Sequence, residues 1–213
     1  IEIQKYAFRK YKIKTVENKH THLVPEELEQ LERLSLTGKH MKLQKSLDAF
    51  LFCCYAGMRY SDFTNLSKKN IVDINQETWL IYKSVKTGTE VRLPLYLLFA
   101  GKGIVILNKY RNNLEDFFRL RDNSNINKDL IIIAKLAGLS KKISFHTARH
   151  TNATLLIYNG VNITTVQKLL GHKSVKTTQV YTNIMDMTIV HDLEKMKQAA
   201  LGIKKKTDNS FNK

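Results

Sequence analysis

The chain has 213 residues and 43% hydrophobic content, enough for one domain with its own core, and 35 Lys and Arg against 19 Asp and Glu leave a formal charge of +16. Such an excess selects polyanions, and nucleic acid fits because dispersed cations neutralise phosphates whatever the base sequence. A membrane partner is not expected: the cations are spread through every segment, and no apolar run approaches the roughly 20 residues of a spanning helix.

Residues 1–20 are polar and basic without helical period and read as a linker or arm. Pro25, Glu26 and Glu27 suit the first turn of a helix whose Leu28, Leu31 and Leu34 share a face. A longer, more buried helix runs through "KLQKSLDAFLFCCYAGM" and stops near Gly57. Its adjacent Cys53 and Cys54 have no partners for a disulfide framework or a zinc site, so they read as reduced core thiols. Together with the lack of a signal peptide, this places the expected site of action in the cytoplasm. "SDFTNL" is a short helix. β-branched and aromatic residues then gather from Asn70 to Leu95, around the turn "KTGT", and predict a small antiparallel sheet of two or three strands. Helical spacing returns at residues 104–113, "RDNSNIN" reads as a loop, and "KDLIIIAKLAGL" as a helix ended by Gly138. Beyond it the pattern is helical, with Gly160 as a stop and Asn162 as a cap for residues 163–172. A short helix covers "SVKTTQVYTNI", an amphipathic one with Ile189, Leu193, Met196 and Ala200 on one face spans 187–201, and a basic tail closes the chain. The fold class is therefore α+β, mainly α, with a small antiparallel sheet on one side.

The chemistry concentrates in a few places. His146 and Arg149, three apart on a helix, can aim donors at one anion. In isolation such a pair is more often two solvated basic residues. Downstream, Gly171 ends a helix and is expected to turn His172 outward, with Tyr181 nine residues later; upstream, Arg59 follows a helix stop and Lys86 sits at a hairpin tip. Each has a bland explanation alone: a helix-terminal arginine, a turn lysine, a core tyrosine. Their joint order is harder to dismiss.

"GMRYSD", "VKTG", "HTARH" and "LGHKSVKTTQVYT" occur in an order and spacing that resembles the catalytic domain of the tyrosine recombinase (phage integrase) family, from about "LVPEEL" to "YTNI". The resemblance implies a DNA strand cut by a tyrosine, leaving a 3′-phosphotyrosyl bond and a 5′-hydroxyl that later attacks the partner strand, with no cofactor and no metal. By it, Tyr181 matches the nucleophile, Arg59 and Arg149 the clamp on the non-bridging phosphate oxygens, and Lys86 the general acid for the leaving oxygen. His146 matches a proton-transfer or orienting histidine and His172 a second donor to the phosphate. Asp62 matches an acidic residue that supports the site, though a helix cap for "FTNL" explains it equally, and His150 is read as supporting. The chemistry is consistent: a phenol of pKa about 10 needs activation, and guanidinium forks stay charged beside a pentacoordinate phosphorus.

The resemblance further implies double-stranded DNA as partner, a tetramer on DNA, possible accessory DNA-bending proteins, and a part in integrating or excising a mobile element. It divides the chain into an arm (1–20), a catalytic domain (21–186) and a C-terminal helix with tail (187–213). The helix of the last part is expected to dock on a neighbouring protomer, and packing on its own domain is nearly as plausible. Because the chain begins at Ile1, a preceding core-binding domain is expected to be absent from it. Ala148 stands where many relatives carry a larger apolar residue, a difference of packing more than chemistry. A metal-dependent nuclease or transposase needs paired carboxylates, and Asp73 stands alone. A type IB topoisomerase-like enzyme and a non-catalytic DNA-binding module on the same fold are the alternatives.

Overall fold

Helix α2 (Gln44–Ala56) is apolar on nearly all sides, and from Ser46 to Ala56 every residue is buried, so the rest of the chain must wrap it. The computed structural model describes residues 21–182 together with Leu193, Met196 and Lys197. Around α2 pack α1 (Pro25–Glu32), α4 (Lys102–Lys109), α5 (Leu114–Phe118), α6 (Asn123–Leu136) and α7 (Phe145–Tyr158). Short α3 (Tyr60–Thr64) follows α2 directly, and α8 (Ile163–Leu170) and α9 (Lys176–Gln179) close the described region. Phe52 of α2 meets Phe63 and Phe117 edge-on at ring separations of 5.9 and 6.2 Å, and Phe63 reaches Phe117, Phe118 and Phe145, so one aromatic cluster joins α2, α3, α5 and α7. Cys53 and Cys54 lie fully buried in α2, as core thiols should.

The sheet is a three-stranded antiparallel meander, β1 (Ile71–Ile74), β2 (Glu77–Lys83) and β3 (Glu90–Pro94), in the order β1-β2-β3. Leu80 pairs with Leu93 and Tyr82 with Val91, which sets one buried face against the helices and leaves Lys83, Glu90 and Arg92 in solvent. Leu80, Tyr82 and Ser84 alternate inward, so the parity of β2 carries one polar residue past the end of the strand into the core side.

Most helix limits agree with the sequence patterns: Pro25 opens α1, Gly57 and Gly171 end α2 and α8 in the left-handed region, and Asn162 caps α8 by accepting from the Thr164 amide at 2.9 Å. Two differ. The stretch "RDNSNIN" is a loop only at its start, because Asp122 accepts from the Asn125 amide at 3.0 Å and caps a helix from Asn123 onward. Helical spacing at 104–113 yields a helix from Lys102 to Lys109; the chain then turns, and Asn113 caps an unforeseen helical turn, α5, which buries Phe117 and Phe118. The arm at 1–20 lies outside the described residues. So does most of the 187–201 helix, of which Leu193, Met196 and Lys197 are helical and exposed.

Gly57 joins two conditions that only glycine meets: φ is +67°, and a Cβ would lie 2.6 Å from Oδ1 of Asn152 and 2.9 Å from Cδ2 of Leu170. Gly38 has a similar φ of +54° but open space around it. Gly57→Ala is therefore expected to cost about 2–4 kcal/mol in urea unfolding, and Gly38→Ala only about 1 kcal/mol; equal costs would show that the close approach of α2, α7 and α8 is not tight.

Candidate active site

Four segments converge where α2, α7 and α8 meet the β2–β3 turn. Arg149, on α7, has the largest fully buried side chain of the described residues, 1% exposed. Its Nη1 donates to the Gly57 carbonyl at the end of α2, and its Nη2 to the Leu170 carbonyl at the end of α8, both at 2.7 Å. Nη2 also lies 2.7 Å from Nε2 of His172. Both carbonyls stand at the negative ends of helices, which suits a cation. One turn further along α7, Asn152 donates to the Cys54 and Tyr55 carbonyls, so the same face of α7 satisfies the C-terminal end of α2 twice over.

His172 is 8% exposed and turned into the site, not outward as its place after Gly171 had implied. The left-handed turn at Gly171 sends the chain back over α8, and the Gln167 side chain holds the His172 carbonyl at 3.0 Å. Because guanidinium only donates, Nε2 of His172 must carry a lone pair, so the proton sits on Nδ1, which donates to Oγ1 of Thr178 at 2.9 Å. Burial first, and then Arg149, Arg59, His146 and Lys86, push the imidazole down to about 4. In this state His172 is an acceptor, and donation from Nε2 to a phosphate requires a second proton.

Arg59 opens α3. Its Nη1 contacts Ser84 Oγ at 3.2 Å and Asp62 Oδ2 at 3.4 Å. Asp62 is 1% exposed and also accepts the Val85 amide at 2.8 Å and the Ser84 hydroxyl at 3.3 Å. It is thus no simple helix cap: one carboxylate fixes Arg59 and the base of the turn that bears Lys86. Thr87 in that turn donates to the Gly171 carbonyl at 3.1 Å, which ties the Lys86 turn to the His172 loop. Lys86 itself is exposed, as is His146.

Tyr181 is 3% exposed and lies beside these cations: burial raises its phenol above the ordinary value, while Arg149 and then Arg59 pull it back. His150, buried on α7, stands between His146 and Tyr181, with ring centroids 4.4 Å from the first and 5.5 Å from the second. All eight sequence-predicted residues therefore belong to one region, with Lys86 and His146 at its open side. The pKa of Arg149 is pushed down to about 10 by burial and by Arg59, so it remains protonated at neutral pH. Such a constellation can bind an anion from the open side, with a neutral buried phenol that feels the charge of two guanidinium groups. Among the described residues, no group of three or more His, Cys, Asp or Glu is placed to hold a metal.

Sequence reasoning did not single out Ser84, Thr87 or Thr178. Ser84 was findable, because it continues the inward parity of Leu80 and Tyr82. Thr178 was not, since "KTT" offers two identical neighbours and only three dimensions distinguish them.

The phage integrase family model matches residues 22–187. A tyrosine recombinase of Pseudothermotoga lettingae is 30% identical over 181 residues, which covers 83% of this chain and 60% of that one. Among solved structures, XerA recombinase superposes with a TM-score of 0.63 at 25% identity over 83% of this chain and 65% of its own. A lambda integrase tetramer bound to a Holliday junction gives 0.64 at 19% identity, over 80% and 50% respectively, a likeness of fold. The chain spans about 60% of the length of the curated relatives it matches.

The state of His172 makes stability depend on pH. An unfolded histidine takes up its proton near pH 6.5 and the folded one only near 4, so between these values the unfolded chain binds more protons. This contribution is complete above about pH 6.5 and is lost as pH falls toward 4. In urea unfolding at pH 7, 5.5 and 4.5, the stability advantage of the wild type over His172→Gln is expected to shrink with each step down. Curves that stay parallel would show that His172 is not held neutral.

Proposed function

Because the chain belongs to the phage integrase family, we propose that it carries the strand-cutting domain, residues 21–186, of a site-specific DNA recombinase working through a 3′-phosphotyrosyl intermediate. The observation that carries this reading is the placement of buried Tyr181, on the same chain, beside His150 at 5.5 Å between ring centroids and within electrostatic reach of both Arg149 and Arg59. A phosphodiester of duplex DNA enters from the open side, where Lys86 and His146 are exposed. Arg59 and Arg149 hold its non-bridging oxygens and stabilise the charge that grows as phosphorus becomes pentacoordinate. The Tyr181 oxygen attacks phosphorus, the bond to O5′ breaks, Lys86 delivers a proton to O5′, and the phenolic proton passes to a base in the site. One ester replaces another, so the step needs no nucleotide triphosphate, and attack by a partner strand's 5′-hydroxyl reverses it on a new strand.

The DNA-free geometry adds one requirement. Three of the five N–H groups of Arg149 are engaged, both of those on Nη2 included. Either two-pronged fork needs an Nη2 donor, so a bidentate grip on phosphate displaces Leu170 or His172. Displacing His172 frees Nε2 to take up a proton and become the second donor that the family pattern expects. Exchange between strands is proposed to proceed in a tetramer on DNA, of the kind the lambda integrase structure contains. Integration or excision of a mobile element is the proposed setting.

The direct test is covalent capture on a library of nicked duplexes, from which the short 5′-hydroxyl fragment diffuses away and traps the intermediate. The wild type is expected to give a protein–DNA adduct on denaturing gels. Tyr181→Phe, which keeps the buried ring, should give none while binding duplex DNA within about two-fold of the wild type. An adduct of unchanged yield in the variant removes Tyr181 as nucleophile; none from the wild type on any duplex favours the non-catalytic DNA-binding module.

A further inference from the structure

Thr178 is fully buried, yet it lies in a four-residue helix between two exposed threonine and glutamine neighbours, in a run with no apolar pattern to explain the burial. Its hydroxyl is spent on one contact, Nδ1 of His172 at 2.9 Å, and its backbone carbonyl on another, the amide of Tyr181 at 3.1 Å. One residue therefore holds the imidazole with its side chain and the turn that presents the tyrosine with its main chain.

The first contact decides more than orientation. A neutral imidazole carries one proton, and the partner on one nitrogen selects where it sits. Arg149 can only donate, so it selects the lone pair on Nε2; Thr178 is the group that accepts the resulting Nδ1–H. Without an oxygen at that place, Nδ1–H would be a buried donor facing a hydrocarbon, which favours moving the proton to Nε2 and breaking the contact with Arg149.

We propose that Thr178 is a positioning residue for strand cleavage: its hydroxyl fixes His172 as the Nδ1–H tautomer, aims the Nε2 lone pair at Arg149, and links that imidazole to the turn bearing Tyr181. The proposal rests on the recombinase reading of the site. It assigns Thr178 no contact with the scissile phosphate; the residue acts through His172 and, by its carbonyl, through the placement of the nucleophile. His172 and Tyr181 are thereby set together, and a shift of the turn that withdraws Tyr181 also releases His172 from its tautomer.

The test uses the full chain, labelled with 15N-histidine, in the wild type, Thr178→Val and Thr178→Ser. Valine keeps the volume and removes the oxygen, and serine keeps the oxygen and loses a methyl. Long-range proton–nitrogen correlation spectra at pH 7, with His172 assigned by its disappearance in His172→Gln, report the tautomer without any DNA. Single-turnover adduct formation on the captured duplex reports cleavage. The wild type is expected to show a protonated Nδ1 and an unprotonated Nε2. Thr178→Val should lose that pattern and cleave about ten-fold slower or worse, with binding of duplex DNA within about two-fold, and Thr178→Ser should restore both pattern and rate. A wild-type His172 protonated on Nε2 overturns the proposal, and so does a Thr178→Val protein that keeps the Nδ1–H pattern or cleaves at the wild-type rate. If the wild type forms no adduct while its spectrum shows the expected tautomer, the cleavage role falls with the recombinase reading and only the hydrogen bond stands.

Discussion

A guanidinium shut away from water is tolerable only where acceptors meet it, and Arg149 meets three at 2.7 Å: the carbonyls of Gly57 and Leu170 and the Nε2 of His172. These belong to the ends of α2 and α8 and to the loop that follows, so one cation brings together segments 92 and 21 residues away in sequence. The helix ends supply negative partial charge, the cation supplies donors that the ends otherwise lack, and neither is satisfied alone. The same side chain is the one proposed to grip phosphate. Loss of Arg149 in a cell would consequently lower the amount of folded protein as well as its chemistry, and a phenotype from that substitution cannot be assigned to catalysis without measuring abundance.

The electrostatics follow from the same crowding. Burial and then Arg59 depress the pKa of Arg149, and Asp62 is the carboxylate set against Arg59, shared with Ser84 and the Val85 amide. His172 stays neutral because burial, and then the charges of Arg149 and Arg59, disfavour its protonated form. The phosphodiester proposed as substrate would change the balance, compensating the guanidinium groups and making a protonated imidazole acceptable. The site by itself carries an excess of positive charge that a bound anion would offset.

The elements were legible in the sequence where a single local rule decides them. Gly57, Gly171 and Asn162 stop or cap helices because their backbones or side chains are suited to it, and the sheet shows in its β-branched run. The misread stretch at 123–127 contains three asparagines and a serine, poor helix formers that Asp122 overrides by capping. The segment "LEDFF" is too short for periodicity, and its helical turn is decided by two phenylalanines that need the core. Within the site, the motifs brought out the charged groups and the tyrosine proposed to attack. What they could not convey was direction: that His172 faces inward as an acceptor follows from where Arg149 sits, a contact across 23 residues. Ser84 and Thr178, which hold other residues and carry no charge, left little trace beyond strand parity.

The two turns of the sheet differ in what surrounds them. Asn75 and Gln76 form a two-residue connection between β1 and β2, both with positive φ and both exposed, at the other end of β2 from the turn that bears Lys86. The connection between β2 and β3 is anchored at three places, by Ser84 on Asp62 and Arg59, by Val85 on Asp62, and by Thr87 on Gly171. Insertions and deletions should therefore accumulate unequally across a single small sheet as the family diverges. The first turn can lengthen or shorten freely, whereas the second behaves as a ruler, in which one added residue before Ser84 reverses its side of the strand and carries Lys86 out of reach of the cleft.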